Sequence, residues 1–291
     1  MLEFKKITIE DKNIIKKYIG EKSENSETNF TNLFIWADFF STRYTIIDDV
    51  LAISNISPSG NSLCFFPKGE GNVEKCLLEL YDYFKARNMS FCVTNATKDE
   101  AELFSKVFKE AVIEENRDFE DYVYLRESLV QLSGKKLHAK KNHLNKFKKL
   151  YPDYEYRELT EDDFENCMAL ARKLIMTGEN SDDSEILSME KLFCNYAALG
   201  LKGAVLKVQG NTVAFTVGEK QTENCAIIHI EKADTAYEGS YAAINNFFVS
   251  NTMTDFEFIN REEDMGLEGL RKAKMSYRPL RMIIKYKCTA K

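Results

Sequence analysis

Tryptophan, proline and histidine are scarce in this 291-residue chain, at one, four and three copies. No two of the histidines fall in an HxxxH or HExxH array, so the usual zinc spacing is missing and no metal is expected. None of the seven cysteines pairs as CxxC, and most sit in apolar runs such as SLCFF and SFCVT, so reduced core thiols are expected. No run approaches the roughly 20 apolar residues that span a bilayer. The opening MLEFKKITIEDK has no apolar segment of the secretory kind, which makes the cytoplasm the expected compartment. Acidic side chains are missing from one long stretch: none falls between Glu127 and Asp153, although the formal net charge is −6.

Ser133 to Leu150 holds seven lysines within that stretch (135, 136, 140, 141, 146, 148 and 149) together with His138 and His143. Leu137, Leu144, Phe147 and Leu150 recur at helical spacing, which predicts a basic helix with an apolar stripe against the body and its charges outward. Ser133 is the expected cap, and Pro152 lies just beyond the end. One-sign charge on an acidic background suits an RNA, phosphate or anionic-membrane partner. The candidate contacts are Lys135, Lys136, Lys140, Lys141, Asn142, His143 and Asn145. The alternative is a solvated linker helix.

Both sides of this helix repeat one order of elements. Before it come LEFKKI (strand) and DKNIIKKYI (helix), then SETNFTNLFIWADFF, an aromatic segment capped by Thr28 or Thr31. YTIIDDVLAIS reads as a hairpin turning at Asp48-Asp49, followed by the strand NSLCFFP, the turn PKGEGN and the amphipathic helix VEKCLLELYDYFKARN. SFCVT, KDEAELFSKVFKE and DYVYL add strand, helix and strand. After Pro152 the series is YEYREL, EDDFENCMALARKLI and MEKLFCNYAAL, then a hairpin joined at Gly210-Asn211. CAIIHIE, SYAAINNFFVSNT, FEFIN, LEGLRKAKM and RMIIKYK follow as alternating strands and helices. The expected fold class is α/β (α+β), with a domain over 1–126, the basic helix as linker over 127–152 and a second domain over 153–291.

This order resembles the GNAT acyltransferase fold in two tandem copies. ETNFTNLFIW, LSGKKLHAKKNHLNKFKK, HIEKAD and INREEDMGLEGLRKAKMSYRP further resemble bacterial proteins related to the C-terminal domain of phosphatidylglycerol lysyltransferases. The resemblance covers nearly the whole chain. It implies two GNAT-like domains, each a mixed sheet flanked by helices, and aminoacyl transfer from a charged tRNA. Acyl-CoA is the other donor the fold implies, and no other cofactor is expected. The acceptor would be a small molecule, a peptide or a lipid. Lysyl-lipid synthases carry a large transmembrane portion that has no counterpart here.

GNAT domains that use acyl-CoA resemble Q/R-x-x-G-x-G/A at the turn after the fourth strand, whose amides hold a pyrophosphate. The matching turn, Ala236 to Tyr241, keeps only Gly239 and adds Glu238, which argues against ordinary CoA binding. Pro67 to Asn72, with Lys68, Gly69 and Gly71, also departs from the pattern.

The densest polar cluster is Asn260-Arg261-Glu262-Glu263-Asp264-Met265-Gly266, followed by Arg271, Lys274 and Tyr277. It follows a predicted buried strand, so it emerges where open sheets place ligands. Asp264, Arg271 and Lys274 are candidate catalytic residues, and Asn260, Arg261, Glu263 and Tyr277 candidate substrate contacts. The alternative is a solvated acidic turn. His229 and Glu231 share one strand face; Glu231 is the candidate base and His229 a substrate contact, against a merely buried histidine. Gly239, Tyr241 and Asn245 are the remaining candidate substrate contacts. Trp36 and Asn32 match the family's first-half motif. Two further readings stand beside aminoacyl transfer: a non-catalytic module binding RNA or an anionic surface, and an acetyl-CoA-dependent acetyltransferase.

Overall fold

The computed structural model describes residues 2–20, 23–56, 62–177 and 183–291. In chain order it runs β1 (Lys5–Lys6), α1 (Lys12–Ile19), α2 (Phe30–Ile35), β2 (Arg43–Ile47), β3 (Val50–Ile56), β4 (Ser62–Phe65), β5 (Lys68–Gly69), α3 (Val73–Lys85), β6 (Cys92–Ala96), α4 (Lys98–Val107) and β7 (Val112–Glu115). Then come β8 (Asp121–Leu125), α5 (Arg126–Gln131), α6 (His138–Leu150), β9 (Glu155–Glu158), α7 (Phe164–Thr177), α8 (Asp183–Cys194), α9 (Tyr196–Leu199), β10 (Lys202–Val208), β11 (Asn211–Lys220) and β12 (Cys225–Ala233). The chain ends with α10 (Ser240–Asn251), β13 (Phe258–Asn260), α11 (Glu268–Ser276), β14 (Arg281–Ile283) and β15 (Tyr286–Thr289).

These elements form two compact units, each a mixed α/β assembly around one sheet. The first comprises Met1–Asp121, Glu263–Gly266 and Ile283–Lys291; the second comprises Tyr122–Glu262 and Leu267–Met282. They differ from a division in chain order at residues 126 and 152. The segment 127–152 belongs within the second unit, and two late segments belong to the first. Strand pairing is the reason. RMIIKYK, expected as one strand, is two: β14 pairs in the second sheet, while β15 inserts between β6 and β7 of the first.

The first sheet has the order β1-β2-β3-β4-β6-β15-β7, with β5 on β3. The β2–β3 hairpin turns at Asp48-Asp49, as expected, with both residues in left-handed backbone (φ +45° and +62°). Gly69 and Gly71 serve this turn, because a Cβ on either would lie 2.1 or 1.9 Å from the carbonyl oxygen of Asp49 or Asp48. Lys68 is paired with Glu100, and Asn72 caps α3. The PKGEGN turn is thus packed rather than open. Leu77, Leu80 and Phe84 of α3 pack with Phe104 of α4 and with Phe91. The aromatic segment is capped by Asn29, not Thr28 or Thr31, since the Asn29 side chain accepts from Thr31 N. Its Phe30 and Phe34 are buried, whereas Trp36 is half-buried. Asn61, the start of the expected strand NSLCFFP, lies outside the described residues.

The second sheet has the order β14-β8-β13-β12-β11-β10-β9. Its β10–β11 hairpin turns at Gln209-Gly210, one residue earlier than expected. These are the two residues with positive φ (+51° and +80°), and Asn211 already pairs with Val208. Helix α10 is buried along most of its length and packs on α6 through Leu144 and Phe147. Ser133 does not cap α6: the helix starts at His138, with Leu137 at the cap position and no side-chain hydrogen bond there. Leu150, expected in the apolar stripe, is exposed.

Because β15 lies between β6 and β7 and pairs with both, truncation after Ile283 should unfold the first unit's sheet. Hydrogen exchange should show lost protection in β6 and β7, while the β10–β11 hairpin keeps its protection.

Candidate functional site

In the second unit, β12 carries Glu231 with only about a tenth of its side chain exposed. Arg261, just past β13, donates from Nη2 to Glu231 Oε1 at 2.7 Å, and Asn245 Nδ2 of α10 donates to Oε2 at 2.8 Å. Tyr277, at the end of α11, places its ring 4.9 Å from the guanidinium, and the buried Tyr124 of β8 is 5.6 Å away. Burial opposes the charge on Arg261, but Glu231 more than offsets this and holds it protonated. Burial also raises Tyr277 to about 12, against the pull of Arg261. One lysine of the basic helix joins the group: Lys140 Nζ lies 4.4 Å from the Tyr277 ring. Burial and then Arg261 lower its pKa, partly offset by Glu231.

Two buried polar atoms of this group, Arg261 Nη1 and Asn245 Oδ1, have no hydrogen-bond partner among the described residues. The amide orientation is fixed because Nδ2 must face the acceptor carboxylate. One free donor and one free acceptor therefore flank Glu231. Buried polar atoms left unpaired cost about 1–3 kcal/mol each, so a complementary ligand would gain by filling both.

The other expected residues have varied surroundings. Lys274 is buried and donates from Nζ to the carbonyl of Arg261 at 2.7 Å, so it holds that backbone in place. Arg271 lies one turn away on α11 and is half-buried. Asn260 is buried; its Oδ1 accepts from Glu262 N and its Nδ2 donates to Gln221. His229 is clamped between Glu219 (3.1 Å) and Glu262 (2.8 Å). Tyr241 is substantially exposed. Gly239 lies under α6, where a Cβ would come within 2.3 Å of the His143 carbonyl oxygen. Lys135, Lys136, Lys141, Asn142, His143 and Asn145 are exposed, as a solvent-facing basic helix requires.

The acidic string divides between the units. Glu263 and Asp264 belong to the first, where Asp264 accepts from Gly266 N and from Arg117. Glu263 is near a buried cluster in which Lys285 donates to Glu27 and Asp121, with Ser26 between. Burial raises Glu27 and lowers Lys285, but the carboxylates keep the amine charged. Sequence reasoning missed this cluster, and also Glu219 and Tyr124. A carboxylate or lysine inside an apolar strand run was the available signal.

The sequence profile of the C-terminal portion of phosphatidylglycerol lysyltransferases matches residues 21–289. A conserved protein of unknown function from Bacteroides thetaiotaomicron is 34% identical, with each chain covered in full and a TM-score of 0.93. L-PGS from Bacillus licheniformis is 13% identical, with 98% of this chain and 93% of that one covered and a TM-score of 0.70. A tandem GNAT protein from the clavulanic acid pathway is 7% identical over 100% and 99% of the chains, with a TM-score of 0.54. These two likenesses show the fold alone. An uncharacterized protein of Mycoplasmoides gallisepticum is 29% identical over 57% of this chain, which spans about half (54%) of that relative's length.

His229 supplies a direct test of the site's electrostatics. Burial would lower its pKa, but hydrogen bonds from its ring to Glu219 and Glu262 win and raise it to about 9 from 6.5. Its contribution is complete below pH 6.5 and disappears as pH rises through 9, a loss on the order of 3 kcal/mol. Chemical denaturation across that window should show the fall in wild type and a flatter profile in His229→Gln.

Proposed function

The chain belongs to the phosphatidylglycerol lysyltransferase C-terminal family, and on that premise we propose that it transfers an aminoacyl group from a charged tRNA to an amine or hydroxyl. The observation that carries this reading is the unpaired donor and acceptor beside Glu231. An amino ester offers the matching pair. Its α-ammonium donates to Asn245 Oδ1, and its carbonyl oxygen accepts from Arg261 Nη1. A plain acetyl group has no donor for Asn245.

In this reaction the acceptor's amine or hydroxyl attacks the ester carbonyl. Negative charge grows on the carbonyl oxygen, where Arg261 Nη1–H meets it in a site shielded from water. Glu231 retains lone pairs beyond those used by Arg261 and Asn245, and takes the attacking group's proton. The ester C–O bond then breaks, and the ribose oxygen of the donor leaves as a hydroxyl, taking the proton that Glu231 received from the nucleophile. Lys140 keeps the surroundings cationic, which favours the oxyanion. The exposed lysines of α6 suit the RNA backbone, so donor binding weakens steeply with salt. Among the described residues no helix is long and apolar enough to cross a membrane. The acceptor is a lipid, a small molecule or a peptide bearing the nucleophile.

The test uses tRNAs charged with labelled amino acids, with discharge followed in the presence of candidate acceptors. Glu231→Gln should slow discharge by roughly 10²- to 10⁴-fold, and Arg261→Lys by roughly 10²- to 10³-fold, with thermal unfolding confirming a folded protein. Undiminished rates in both variants, or acetyl-CoA consumption without tRNA discharge, would overturn the proposal.

A further inference from the structure

The turn after β12, where GNAT-type folds hold a pyrophosphate, is covered in this chain. Gly239 is pressed under the backbone of α6, with Phe147 Cβ also about 3.0 Å from where a Cβ would stand. Glu238 of the same turn is paired with Lys146 of α6 at 2.7 Å. Asp234 turns back to accept from Ala236 N, and Ser240 Oγ donates to the Asp234 carbonyl. The Tyr237 and Ser240 amides are also bonded within the turn, to the carbonyls of Asp234 and Tyr237, and the Glu238 carboxylate stands at its rim. A donor's phosphate needs another seat.

The same helix provides one at its other end. A cavity of about 450 Å³ lies at the start of α6, lined by Ser128, Ser133, Gly134, Lys135, Lys136 and Arg278, with Leu137 as its apolar wall. Among the described residues, Lys135, Lys136 and Arg278 have no carboxylate in ion-pair contact. Three unneutralised cations around one cavity favour an anion, and two hydroxyls can add hydrogen bonds. The first turn of α6 has no acidic residue, so its amides add to the same field. Chain connectivity ties the cavity to the acyl site. Arg278 follows Tyr277, and Lys140, which reaches the Tyr277 ring, is on the first turn beyond Leu137.

We propose that this cavity binds a phosphate group of the acyl donor, in place of the covered turn. The inference rests on the donor reading above. A phosphodiester of RNA and the pyrophosphate of CoA share this chemistry, and the test separates them.

The full chain is titrated with inorganic phosphate, a short RNA oligonucleotide and CoA, at low and high salt. Arg278→Ala and the double variant Lys135→Ala/Lys136→Ala should weaken phosphate binding about tenfold or more. Lys148→Ala/Lys149→Ala removes equal charge from the far end of α6 and should leave phosphate affinity unchanged. RNA displaced by phosphate, and weakened in the cavity variants, identifies RNA as the source; the same behaviour for CoA identifies CoA. Equal losses of inorganic-phosphate affinity in cavity and control variants, or no phosphate binding by wild type, would overturn the proposal. Glu231→Gln should bind phosphate as wild type does. If no donor turns over but binding still depends on Arg278, the reaction reading fails and this site stands.

Discussion

The Glu231–Arg261 ion pair is the interaction on which the second unit's candidate site depends. Both side chains are nearly buried, so each lowers the other's cost of leaving water, and removing one partner would strand a charge at about 3–5 kcal/mol. The pair is held from several directions. Lys274 fixes the Arg261 carbonyl, the His229 clamp fixes the adjacent Glu262, and Asn245 takes the second oxygen of Glu231. Tyr124 and Tyr277 line the guanidinium. A buried pair with so many supports adds little net stability, yet it keeps a charged donor in one orientation, as an oxyanion site needs.

Helix α6 links this pair to the chain's charge pattern. Leu144 and Phe147 bury its inner side against α10, and Lys140 turns inward to Tyr277 while most of its lysines remain in solvent. Packing on Gly239 closes the turn that a CoA-dependent relative would keep open. The helix thus removes one phosphate seat while carrying cations at its start. Lys140 links α6 to the Glu231–Arg261 pair through the Tyr277 ring.

Much of this was legible in the sequence. The hydrophobic period announced α3 and α6, the Asp48-Asp49 turn fixed the first hairpin, and strings such as HIEKAD marked the family. Glu231 stood out as a carboxylate on an apolar strand facing the same way as His229. What stayed hidden was long-range pairing. RMIIKYK reads as one strand because local alternation carries no record of which sheet each half joins. Asp264 reads as one catalytic group with Arg271 and Lys274, but backbone routing assigns it to the first unit, where it accepts from Arg117. The inward turn of Lys140 was equally invisible, since it depends on where Tyr277 sits at the end of a helix far along the chain.

The most direct measurement is binding of a stable aminoacyl-amide analogue of the 3′-terminal adenosine, compared with its N-acetylated form. If Asn245 Oδ1 receives the α-ammonium, the free amine should bind and N-acetylation should abolish binding, with the difference vanishing in Asn245→Ala. Equal binding of the two forms by wild type would contradict the account.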